Sequence, residues 1–203
     1  PTLVSFAIAP EEADHLISPE FKEPNHPVYL FDAVYAPDGS PDYDAIQTVW
    51  ETVAGFIREG KVVSAWALTA GGVAEAIAKM AVGNDIGFAL DSVYPSRGLY
   101  IKNYGGILVE ATEELCAGWV VGQTIAAPEI RIKDERIALC DVKRALEGTL
   151  EDVFPTVTPA ADETLQTVSY FERNPAAPAV LTKTPLAVIP VFPGTNCEYD
   201  TAK

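Results

Sequence analysis

Between Val62 and Met80 the hydrophobic rhythm changes once, and that change restricts the fold more than any other feature of the chain. Val62 to Leu68 is an apolar, β-branched run that reads as a strand, and Thr69-Ala70-Gly71-Gly72 is a tight turn. Val73, Ala76, Ile77 and Met80 then recur at helical spacing, and Gly83-Asn84 ends that helix. A strand that passes through two glycines straight into an amphipathic helix requires a sheet with a helix laid on it. The remaining elements repeat the theme. Leu3–Ala9, Val28–Tyr35, Ile86–Leu90, Gly106–Ala111, Trp119–Ile125 and Arg136–Leu139 read as strands. Asp42 or Asp44 caps a helix carrying Ile46, Val49, Trp50, Val53 and Ile57, stopped at Gly60, and Asp141–Phe154 is a further helix with Asp141 as its cap. Strands and helices alternate irregularly. The expected class is therefore α/β (α+β), a layered mixed sheet with helices packed on it.

The composition shifts after Pro155. Residues 1–155 are expected to form the main domain and the proline-bearing stretch 156–185 a linker. Leu186–Phe192 is expected to be a fresh strand that opens another domain within 186–203. The sequence starts at Pro1 without a Met and stops at Lys203, so both ends read as cuts.

A net charge of −15 with 14 Lys and Arg argues against a nucleic-acid partner. It leaves open a phosphorylated small molecule, which backbone N–H groups at a helix start can hold. The cysteines Cys116, Cys140 and Cys197 are odd in number and widely spaced, and neither His15 nor His26 lies near them. Reduced thiols in the cytoplasm fit this pattern, and no metal site is expected. No apolar run is long enough to span a membrane.

The best candidate site is Thr69, Ala70, Gly71 and Gly72. Glycines at a strand-to-helix turn let a ligand approach the backbone, the first N–H groups of the helix point at it, and Thr69 adds a hydroxyl. A phosphate suits this arrangement. Tight packing alone also explains two glycines at a turn, and both readings stand. Gly105-Gly106 precedes a strand and reads as a turn or bulge, and Asn84-Asp85 reads as a helix end. Trp50 is expected in the core, Trp66 in the core or a pocket wall, and His15 and His26 on the surface. Glu151-Asp152 reads as a solvated helix face. Cys197 has no histidine after His26 to activate it, so no catalytic residue is assigned.

Phe192-Pro-Gly-Thr-Asn-Cys-Glu-Tyr-Asp-Thr-Ala202, placed after an apolar run, resembles the opening of the glutaminase domain of phosphoribosylformylglycinamidine synthases, which begins with a strand and F-P-G-[ST]-N-C-[DE]-x-D. Ala65–Val73 with Lys79-Met-Ala-Val-Gly-Asn84 is similar to the marker H-D-x-S-D-G-G-L and the following E-M-A-x-x-G of PurM-like domains in that family. The two glycines and a hydroxyl residue are kept, while the His and both Asp are replaced. The stretch from Gly71 to Gly87 looks more like the clostridial-type, single-chain branch.

The resemblance implies a PurM-like domain at 1–155 and a truncated glutaminase start at 186–203. It also implies a parent enzyme that turns formylglycinamide ribonucleotide, ATP and glutamine into the amidine, with Mg²⁺. This piece would bind no cofactor itself and would be inactive alone. Its partners would be that substrate, the remaining domains including the glutaminase, and a second copy as one form of association. A scaffold with no live ligand site is the alternative.

Overall fold

The computed structural model describes residues 4–157, 168, 169, 171, 182–184 and 186–203. The chain divides into two units, Pro1–Thr158 and Pro159–Lys203. The first is built on a seven-stranded mixed sheet, as the alternation of strands and helices predicts. Its strands are β1 (Pro27–Phe31), β2 (Val62–Ala67), β3 (Gly87–Leu90), β4 (Ile107–Ala111), β5 (Trp119–Ile125), β6 (Glu129–Ile132) and β7 (Glu135–Ala138). They lie in the order β2-β4-β1-β5-β3-β6-β7. The β3–β6 pair is parallel, and the other neighbours are antiparallel.

Alternation along β1 divides the core. Val28 and Leu30 face helix α2 (Gly72–Asn84), whose Val73, Ala76, Ile77, Met80 and Ala81 are buried. Tyr29 and Phe31 face the opposite way, with Val53 of helix α1 (Tyr43–Arg58) in the second cluster. Each fully buried Val, Ile or Met on these faces contributes about 1.5–3 kcal/mol, so the two helices hold the sheet between them. Asp42 is the cap of α1, its side chain accepting from the Ala45 N–H at 3.0 Å. Helix α3 (Leu139–Gly148) lies on the α2 side, where Leu139 is buried and Val142 packs against the same cluster.

Several expectations are corrected. Val4–Ala9 forms no strand, and Val4, Phe6 and Ile8 are exposed. Leu186–Phe192 likewise forms no strand. The physical reason is common to both: an apolar β-branched run becomes a strand only where a neighbour completes its hydrogen-bond ladder, and no described residue does so here. β1 stops at Phe31, before Tyr35. The third helix begins at Leu139 and ends at Gly148, two residues earlier and six short of expectation. Ala138 caps it without a side-chain bond, and Asp141 instead pairs with Arg144 at 2.9 Å. Beyond its first turn the helix finds little core, and Val153 is exposed. The 156–185 stretch falls largely outside the described residues. In the second unit a helical turn, α4 (Glu198–Thr201), follows Cys197.

Candidate functional site

Pairing directions determine where functional groups collect. β1, β2 and β3 run the same way, because each is separated from the next by one antiparallel strand. Their C-terminal ends therefore share one edge of the sheet. That edge carries Asp32 after β1, Thr69–Gly72 after β2 and Asp91 after β3. Asn103 ties two of these loops together. Its N–H donates to the Thr69 carbonyl at 3.3 Å, its Oδ1 accepts from the Ala33 N–H at 3.4 Å, and its Nδ2 donates to Asp32.

At the turn, Gly72 has φ +62°, and a Cβ there would lie 2.4 Å from the Ile101 carbonyl oxygen and 2.9 Å from that of Leu99. Glycine at 72 is thus required by both backbone conformation and close packing. Gly71 is the cap residue of α2. Three donors converge beside it. The Thr69 hydroxyl donates to Glu75 Oε2 at 2.7 Å, the Gly71 N–H donates to the same oxygen at 3.1 Å, and Lys79 Nζ lies 2.6 Å from Oε1. The Lys79 ammonium, then the Thr69 hydroxyl, holds the Glu75 carboxyl below the usual carboxylate range. Lys79 also sits 5.2 Å over the Trp66 ring, so half-buried Trp66 both packs on the core and walls the site. A carboxylate of the chain itself occupies the anion position expected at this helix start. The sequence reading does not single out Glu75; its place in the first turn of α2, at the positive end of the helix dipole, is where an acidic side chain is favoured.

A second polar constellation is barely visible in the sequence. Glu110 sits in the apolar run of β4 and is fully buried. Its carboxylate accepts from the Lys22 N–H at 2.8 Å, the Glu23 N–H at 3.1 Å and the Ser64 hydroxyl at 2.9 Å, and His26 Nδ1 lies 2.7 Å away. Four partners make burial of this group tolerable. The only signal in the sequence is a charge at a strand position whose same-face neighbour, Leu108, is apolar. His26 is therefore not a surface residue, since it closes the network around Glu110. The network pins the 18–26 strap, from which Phe21 enters the core and stacks against Phe88.

The other singled-out residues have local roles. Trp50 is exposed rather than core, because its indole N–H turns out to donate to the Gly105 carbonyl at 2.8 Å. Asn84 donates to the Phe21 carbonyl at 2.9 Å and Asp85 ends α2 in the left-handed region. His15 lies 3.1 Å from Glu11 on the surface. Cys116, Cys140 and Cys197 are exposed free thiols. Among the described residues, no group of three or more His, Cys, Asp or Glu converges to hold a metal ion, and no helix is long and apolar enough to cross a membrane.

No protein-family profile and no curated protein matches the sequence. Solved structures do match the fold. The PurLQS structure from Thermotoga maritima aligns with TM-score 0.54 and 17% identity over 80% of this chain and 32% of that one. Phosphoribosylformylglycinamidine synthase II from the same organism aligns with TM-score 0.53 and 16% identity, covering 79% and 31%. T. maritima PurL complexed with FGAR aligns with TM-score 0.52 and 13% identity, covering 79% and 33%. The chain thus shares the PurL fold and spans about a third of the length of these structures.

Proposed function

We propose that this chain is a PurM-like domain of a formylglycinamidine ribonucleotide synthase, of the large single-chain type, and that it contributes phosphate contacts to the substrate site. The observation that carries this reading is the convergence of the Thr69 hydroxyl, the Gly71 N–H and the Lys79 ammonium on one anionic group at the start of α2. Neutral, charged and dipolar donors arranged around a carboxylate are equally suited to a phosphate oxygen. In this reading the 5′-phosphate of formylglycinamide ribonucleotide replaces the Glu75 carboxylate and keeps Lys79 as its counter-ion. PurL complexed with FGAR is among the fold matches, which supports the substrate class.

ATP and Mg²⁺ belong, in this reading, to other parts of the parent enzyme. When bound they supply phosphoryl activation of the amide oxygen. Among the described residues no group of His, Cys, Asp or Glu converges on an ion, and in this reading no step on this chain is routed through it. Residues 1–155 would be the domain, 156–185 the linker, and 186–203 the start of a class I glutaminase whose nucleophile lies elsewhere. The parent would be a cytoplasmic enzyme, and this piece alone would hydrolyse no glutamine.

A second reading is favoured by one observation: the anion position is already filled, and Gly72 is explained by packing. On that view the domain is a scaffold. Calorimetric titration with formylglycinamide ribonucleotide separates the two. The substrate-site reading expects saturable binding that strengthens in Glu75→Gln, where the competing charge is gone, and weakens about tenfold in Thr69→Ala. Affinity equal in all three proteins, or none measurable in Glu75→Gln, leaves the scaffold.

A further inference from the structure

Beside the Thr69–Gly72 turn, on the same edge of the sheet, lies a cleft of about 700 Å³ that the reading above does not use. Its walls are mostly apolar: Leu30, Val93, Ile101, Val120 and the rings of Tyr94 and Trp119. Two carboxylates, Asp32 and Asp91, also line it, and no Lys, Arg or His does. The volume is that of small-molecule sites, which are largely apolar with a few placed polar groups.

The carboxylates are only partly satisfied. Asp32 Oδ1 accepts from Asn103, and Asp91 Oδ1 accepts from the Val93 N–H at 2.8 Å. No described residue donates to the second oxygen of either. The negative field reaches the walls: burial first, and then the charge of Asp32, pushes the Tyr94 phenol upward. Carboxylates set among apolar walls without a cation of their own favour a positively charged guest. The Trp119 and Tyr94 rings add faces on which such a charge and an apolar body both gain. A bare divalent cation fits poorly, because it seeks six or more oxygen ligands and these walls are carbon. A phosphate-bearing ligand is repelled. The rim side chains Val93 and Trp119 are 89% and 70% exposed, which leaves apolar surface for a guest to cover.

We infer that this cleft binds an organic cation, an ammonium or guanidinium group on an apolar or aromatic body, with Asp32 and Asp91 pairing the charge and Trp119 and Tyr94 holding the body. The site is separate from the phosphate-binding turn and opposite to it in charge preference. The test is an NMR titration of the protein with phenethylammonium at constant ionic strength, beside its neutral counterpart 2-phenylethanol and the anion 3-phenylpropionate. The expected result is saturable shifts of the Trp119 indole and the Tyr94 and Asp91 amides with the cation. The neutral compound should bind about tenfold more weakly and the anion not at all, with Asp32→Asn and Asp91→Asn each lowering cation affinity about tenfold. Both variants exchange exposed or half-buried carboxylates for isosteric amides, and unchanged circular dichroism checks their fold. Equal binding of cation and neutral compound, unchanged affinity in both variants, or no saturable shift at these residues overturns the inference.

Discussion

Four residues illustrate how much hangs on single groups in this domain. Gly72 combines φ +62° with a backbone carbonyl where a Cβ would go. Gly72→Ala is expected to lower unfolding free energy by about 2 kcal/mol or more, measured by urea denaturation, because it adds strain and forces the 99–101 segment away. Glu110 is a buried acceptor for two backbone N–H groups and a hydroxyl, so removing its charge leaves donors without a full partner. Glu110→Ala should cost about 3 kcal/mol and loosen the 18–26 strap first, visible as faster amide exchange at Lys22 and Glu23. Ser64→Ala, which removes one donor and keeps the rest, should cost less, about 1 kcal/mol. Glu75 gives a pH signature. Its carboxyl is held low in the folded state, so its contribution is fully present above the unfolded carboxylate value of about 4.3 and fades as pH falls through the lower folded value. The stability gap between wild type and Glu75→Gln should therefore be present at neutral pH and shrink below about pH 4; a gap that grows on acidification would contradict the Lys79–Glu75 pairing.

At the scale of elements, the strands with a strong apolar or β-branched run were legible. Trp119–Ile125 emerges with the boundaries expected, and Gly87–Leu90 and Ile107–Ala111 differ from expectation by one residue. β6 was not legible. Glu129-Ile-Arg-Ile132 is short, alternates charge with isoleucine, and becomes a strand through its parallel pairing with β3 and a hairpin to β7. The hairpin is closed by Lys133-Asp134, with Lys133 at φ +55°. Lys133→Gly should accordingly stabilise the domain by about 0.5–1 kcal/mol in thermal denaturation, since glycine accepts this conformation without a side-chain penalty. Strand propensity without a pairing partner misleads in the opposite direction. Val4–Ala9 and Leu186–Phe192 have strand composition but no ladder, and composition does not carry that information. Of the candidate site, the glycine turn and Thr69 were visible in the sequence. The carboxylate that fills it was not, because Glu75 acquires its meaning only when α2 brings it back over Gly71.

For the molecule as a whole, the edge where β1, β2 and β3 end is the organising feature. It sets an anion-type constellation at Thr69–Gly72 beside a cleft of negative character at Asp32 and Asp91, with the 98–101 segment shared between them. The fold is shared with the matching PurL structures at less than a fifth sequence identity. Fold alone does not carry function, which is why the account depends on the turn. The most direct test follows backbone amide shifts while formylglycinamide ribonucleotide is added to the protein. The account predicts saturable shifts at Gly71 and Glu75, with loss of the Lys79–Glu75 pairing as the phosphate takes the carboxylate's place. Saturable binding that leaves Gly71 and Glu75 unmoved would contradict it.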